Sequence, residues 1–166
     1  MKVNIALLTV TDTRTIDNDK SGGILVEKIK ESNHNLIDRK ICKDNKNDIV
    51  LILKDWLKNE KIDAIITTGG TGLTGRDITP EALDEIADKH IPGFGEVFRN
   101  ISLKTVGTSA IQSRACAVLS NGKYVFALPG SSGGVTDAWE GILKHQLDVN
   151  HKPCNFVELF PRLKEK

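Results

Sequence analysis

The chain is poor in several things, and each shortage removes a class of function. It has 3 cysteines in 166 residues, Cys42, Cys116 and Cys154, far apart and odd in number. With no Cys-x-x-Cys pair, neither a zinc site nor a disulfide framework is indicated. Its 4 histidines, His34, His90, His145 and His151, show no helical ligand spacing and read as surface or packing residues. An excess of one charge is missing too: 23 Lys plus Arg against 22 Asp plus Glu leave a formal net charge of +1. That balance lacks the basic excess of a nucleic-acid footprint. No apolar run approaches a membrane span, and Met1-Lys2-Val3-Asn4-Ile5 enters a strand pattern with no room for a signal peptide. The expectation is a soluble, cytoplasmic protein that binds neither nucleic acid nor membrane. Aromatics are few, yet the apolar fraction of 39% suits an ordinary α/β protein rather than a disordered one. There is no internal repeat, low-complexity segment or linker, so residues 1–166 read as one domain able to bury a core.

What is present is a regular alternation of elements. Residues 3–10 form a nearly continuous apolar run, the pattern of a central strand covered on both faces. Ser21 is placed to cap a helix carrying Leu25, Val26 and Ile29. Residues 36–42 follow as a second strand. Ile49, Ile52, Leu53, Trp56 and Leu57 make one apolar stripe on a helix over 48–59. Residues 62–68 are the third strand. Thr79 suits an N-cap and Pro80 the first helical position of a helix reaching about His90. Pro92-Gly93-Phe94-Gly95 then breaks the chain before a short helical stretch over 97–103. Strand-like residues 115–119 and 124–128 flank Asn121-Gly122, a strong two-residue hairpin signal, so this pair is expected to be antiparallel. The β-α-β-α order argues for a parallel sheet with helices on both faces. The tail from Lys152 carries Phe156, Val157 and Phe160 and is expected to dock on this chain or a neighbour.

The most informative segment is Thr67-Thr68-Gly69-Gly70-Thr71-Gly72-Leu73-Thr74-Gly75-Arg76-Asp77-Ile78-Thr79-Pro80. A glycine turn rises from a strand end and leads to a helix start, which lets backbone N–H groups approach an anion. Arg76 adds a cation and Asp77 a carboxylate. A tight structural connection is the other reading of such a turn. Ligands of open α/β sheets sit beyond the carboxyl ends of the strands. Residues 11–14, 43–46, 68–77 and 129–134 should converge there, bringing Asp12, Asp44 and Asp77 with Arg14, Lys43 and Arg76. Two such carboxylates suit Mg²⁺ held between phosphates, although Asp also caps turns. The glycines lack the spacing of a P-loop or a dinucleotide fingerprint, and Ser131 and Ser132 are not in a nucleophile elbow.

Residues 67–80 closely resemble the signature of the molybdenum cofactor biosynthesis family that includes MoaB and MogA. Pro92-Gly93-Phe94-Gly95-Glu96-Val97-Phe98-Arg99, residues 109–114 and Leu128-Pro129-Gly130-Ser131 resemble further blocks of it. Thr9-Val10-Thr11-Asp12-Thr13-Arg14 and Pro153-Cys154-Asn155-Phe156 are most similar to the MoaB branch. The resemblance implies a three-layer α/β/α fold with a mostly parallel mixed sheet and one antiparallel strand. It implies binding of molybdopterin, a pterin dithiolate with a terminal phosphate, and Mg²⁺-dependent transfer of AMP to it from ATP, releasing pyrophosphate. Asp77 and Asp44 would be the catalytic and metal-holding acids. Thr68, Gly69, Gly70, Thr71, Gly72, Asp12, Glu96, Ser109, Pro129, Gly130, Ser131 and Ser132 would contact substrates. A homo-oligomer, trimer or hexamer, is implied, with other cofactor-synthesis proteins as further partners. Phe94, Phe98, Phe156, Val157 and Phe160 are its interface candidates, the monomer core being the other place for Phe94 and Phe98. The alternatives are a non-catalytic molybdopterin-binding or assembly protein, and a relative acting on pyridine nucleotides, which the short chain disfavours.

Overall fold

The structure is a computed structural model and describes residues 1–165. Six strands form one sheet in the order β2-β1-β3-β6-β5-β4. They are β1 (Asn4–Val10), β2 (Asn35–Cys42), β3 (Ala64–Thr68), β4 (Lys89–His90), β5 (Cys116–Ser120) and β6 (Lys123–Leu128). The pairs β1/β2, β1/β3 and β3/β6 are parallel, whereas β5 runs antiparallel to both β6 and β4. So β5 is the one reversed strand, as the Asn-Gly signal requires. Asn121 and Gly122 take φ of 47° and 71°, the left-handed pair of a tight hairpin turn.

Helices cover both faces, giving three α/β/α layers. Side chains alternate along β1, and its two sets enter different cores. Ala6, Leu8 and Val10 pack with Ile49, Leu53 and Trp56 of α2 (Lys46–Lys58) and Leu83 of α3 (Thr79–Ile86). Ile5 and Leu7 pack with Leu25 and Ile29 of α1 (Lys20–Glu31), Phe94 and Phe98 of α4 (Pro92–Val106), and Val135 of α5 (Ser132–Ala138). From α5 the chain continues through a wider π-type turn, Trp139–Leu143, into α6 (Lys144–Gln146). Leu53 is wholly buried, so its truncation to Ala would cost about 2–5 kcal/mol.

Several boundaries differ from the sequence reading, each for a local reason. Ser21 does not cap α1: the carboxylate of Asp19 accepts the Gly22 N–H at 3.0 Å, and the helix starts one residue before Ser21. Thr79 does not cap α3 either. Its hydroxyl donates to the Gly69 carbonyl at 2.8 Å instead, fastening the helix start to the glycine turn. That helix ends at Ile86, because Ala87 turns extended and Lys89–His90 pair with β5. Pro92 opens α4 rather than breaking the chain, in keeping with proline's fit to the first helical turn. Phe94, Phe98 and Val157 are core residues, Phe156 stacks on Tyr124 with centroids 4.5 Å apart, and Phe160 packs against the same ring at a tilt, 5.6 Å away. These five side chains therefore belong to the monomer's own packing, and the tail docks on its own chain.

Candidate functional site

The register of the parallel strands builds the site. Val10 lies opposite Cys42, Thr9 opposite Thr68, and Thr68 opposite Leu128, so β2, β1, β3 and β6 end level with one another. From β1 the chain moves outward to β2 on one side, and from β3 it moves outward to β4 on the other, and ligands of such sheets bind at that switch between β1 and β3. An open cleft of ≈ 400 Å³ lies there. Its walls include Thr11, Arg14, Asp44, Thr68, Gly69, Gly70, Arg76, Asp77, Gly130 and Ser131. All four expected segments contribute.

The glycine turn is shaped by contacts that only glycine permits. Gly69 and Gly70 have φ of +99° and +67°. A Cβ on Gly69 would overlap the Val10 carbonyl, and one on Gly70 would overlap the Thr79 hydroxyl. The Gly69 N–H is already donated to the Leu128 carbonyl at 3.1 Å, whereas among the described residues the Gly70 N–H donates to no backbone carbonyl. Thr71 is buried beneath the turn and Gly72 sits behind it; their carbonyls accept from the Arg114 N–H and from Arg114 Nε at 2.9 and 2.7 Å. Arg114 also donates to the Asp77 carbonyl and to Glu81.

The three carboxylates have different surroundings. Asp77 accepts from the Thr74 amide and hydroxyl at 2.8 and 2.6 Å, which closes the loop. Burial opposes its charge, but these bonds outweigh that and hold the carboxyl below its ordinary value. Asp12, at the rim, is gripped by Nε and Nη2 of Arg76, which lowers its pKa. Asp44 is the exception: burial first, then the charges of Asp12 and Asp77, push its carboxyl up. An acid held against like charge is one that a cation would relieve. Among the described residues, no three His, Cys, Asp or Glu side chains are grouped to hold a metal by themselves. Asp44 and Asp77, which both line the cleft, are the two carboxylates there that could hold a cation together with phosphate and water.

Other expected residues are distributed more widely. Pro129 and Ser131 also line a second cleft of ≈ 460 Å³, together with Ser109, Phe98, Ser102 and Asp137. Ser132 is exposed at the first turn of α5, and Glu96 is exposed on α4; neither lines either cleft. Sequence reading missed Asp19, Arg39 and Arg114 as parts of the support. Asp19 lies beneath the cleft and accepts from Thr9 and Arg39 at 2.6 and 3.0 Å. An Asp three residues before Gly22 was a readable capping signal, but nothing in spacing joins Arg114 to the turn 42 residues before it.

This arrangement has relatives. Residues 6–149 match the family described as a probable molybdopterin binding domain. The chain belongs to that family. It is 42% identical over 161 residues to molybdenum cofactor biosynthesis protein B of Escherichia coli strain K12, spanning 97% of this chain and 93% of that protein. A crystal structure of a molybdenum cofactor biosynthesis protein B superimposes with a TM-score of 0.90 at 38% identity, covering 100% and 98% of the two chains. The tungsten cofactor synthesizing protein MoaB from Pyrococcus furiosus gives 0.76 at 34% identity over 84% and 89%. Within this molybdopterin-binding family fold, the cleft and its carboxylates stand at the strand ends described above. No helix among the described residues is long and apolar enough to cross a membrane.

Proposed function

We propose that this protein acts in molybdenum cofactor biosynthesis by transferring AMP from ATP to the terminal phosphate of molybdopterin. The observation that carries the reading is that the glycine turn at Gly69 and Gly70 lines one cleft together with Asp44 and Asp77. In this reaction a phosphate oxygen of molybdopterin attacks the α-phosphorus of ATP. A new P–O bond forms, the bond to the bridging oxygen of the β-phosphate breaks, and pyrophosphate departs with that electron pair. Gly70 seats nucleotide phosphate through its amide, in the glycine turn whose carbonyl accepts the Thr79 N–H at the start of α3. Asp44 and Asp77 are the residues that would hold Mg²⁺, and Thr74 keeps the Asp77 carboxylate ionised and oriented. Bound Mg²⁺ would offset the charge that develops on the leaving pyrophosphate. The second cleft, with its Phe98 wall, suits the flat pterin, and Ser131 touches both clefts. Names of the relatives support the pathway; the chemistry of the cleft supports the step.

A second reading, a non-catalytic molybdopterin-binding protein, is favoured by one feature: Asp77 and Asp12 are both engaged in closing loops, with Thr74 and Arg76. Pyrophosphate release separates the two. Purified protein with ATP and Mg²⁺ should release pyrophosphate only when molybdopterin is added; tight molybdopterin binding with no release would establish the second reading.

A further inference from the structure

Two arginines line the cleft, and they are employed differently. Arg76 commits Nε and Nη2 to Asp12. Arg14 uses Nη1 alone, donating to Ser21 Oγ at 3.1 Å and to the Gly130 carbonyl at 3.2 Å. Among the described residues its Nε and Nη2 make no hydrogen bond. These two nitrogens form one edge of the guanidinium, the fork that meets two oxygens of a phosphate side by side.

Among the described residues, the one carboxylate within ion-pair distance of Arg14 is that of Asp19. Asp19 Oδ1 is 4.0 Å from Arg14 Nη1, and the Asp19 carboxylate is already served by Thr9, Arg39, Ser21 and the Gly22 amide. The Asp19 side chain is fully buried, whereas that of Arg14 is 39% exposed. Arg14 is therefore anchored on one side and open on the other.

Its position is also specific. Gly130, whose carbonyl holds Arg14, packs on Gly69: a Cβ built on Gly130 would lie 3.2 Å from Gly69 Cα. The next residue, Ser131, lines both clefts. Arg14 thus stands where the glycine turn, the 129–131 turn and the two clefts meet.

We propose that Arg14 is a phosphate-binding residue at this junction, using its Nε/Nη2 edge. On the adenylyl-transfer reading, on which this part rests, it holds the phosphate at which pterin and nucleotide are joined. Because the side chain is exposed, Arg14→Met should fold like the parent, which a matching Tm would verify. Calorimetry with ATP and with AMP, each with Mg²⁺ and each carrying the phosphate to be joined, should show affinity at least about tenfold weaker in Arg14→Met, the scale of one charge-assisted contact. Arg14→Lys, a point charge without the fork, should recover only part; full recovery would overturn the two-donor contact. Unchanged affinity in folded Arg14→Met would overturn the proposal itself. Affinity lost in Arg14→Met while the parent forms no adenylylated molybdopterin would keep Arg14 and remove the reaction. Parent-like affinity and rate in Arg14→Met would keep the reaction and remove Arg14.

Discussion

Asp44 is held in conflict with its surroundings, and that conflict is measurable. Its carboxyl is raised by burial and by Asp12 and Asp77, so the fold favours its protonated form. Whatever stability that preference contributes is present at acid pH and is lost as pH rises through the raised value. Asp44→Asn should therefore raise Tm at pH 7, with the gain vanishing below the ordinary carboxylate value of about 4. The same variant should lose Mg²⁺-dependent nucleotide affinity; thermal melts across pH alongside calorimetry would check both. Asp77 runs the opposite way. Its lowered pKa contributes stability above the ordinary carboxylate range that is lost as pH falls through the folded value. Asp77→Asn preserves the shape of the Thr74 contact and removes the charge. It should cut Mg²⁺-dependent pyrophosphate release by on the order of a hundredfold, the scale of a lost electrostatic contact in a transition state, while molybdopterin binding persists. A parent-like rate would remove Asp77 from the mechanism. Asp77 was legible in the sequence because its acid stands inside the glycine segment. Asp19 and Arg114 were not, because their meaning lies in partners brought near only by folding: Arg39 on β2, and the carbonyls of Gly72 and Asp77.

The glycine turn is one element in which local chemistry and tertiary contact demand the same residue. At Gly70 a side chain would be strained by φ of +67° and would overlap the Thr79 hydroxyl that fastens α3. Gly70→Val should lower Tm and weaken nucleotide binding together; a variant melting and binding like the parent would mean the turn is neither strained nor used. The hairpin of β5 and β6 was readable for a similar reason, since Asn121-Gly122 carries its left-handed geometry in its own residue types. Helix boundaries were less readable where a distant partner decides them. The last turn expected of α3 is claimed by pairing of Lys89–His90 with β5. Propensity inside residues 87–90 holds no trace of that strand. Likewise Thr79 has the chemistry of a cap, but the Gly69 carbonyl competes for its hydroxyl.

At the scale of the whole molecule, alternation plus one hairpin points to a mostly parallel sheet with one reversed strand, and the parallel strand ends then place the cleft, while the edge strand β4 is not foretold. What patterning does not reveal is which apolar side chains remain outside. Phe94, Phe98 and Val157 are internal, whereas Val97, Leu103, Val106 and Ile111 are exposed. Exposed apolar side chains of this kind are the ones an oligomer covers. The expected trimer or hexamer would therefore form through α4 and the turn after it. Light scattering should report such a species, and Leu103→Asp with Val106→Asp should dissociate it; a monodisperse monomer of the parent would end the oligomer expectation. The chemistry proposed for the cleft is the joining of AMP to molybdopterin. ATP labelled at the α-phosphate, incubated with molybdopterin, Mg²⁺ and this protein, tests it most directly. The prediction is label in the pterin product with one pyrophosphate released per label transferred. Saturable molybdopterin binding with all label remaining in ATP would contradict it.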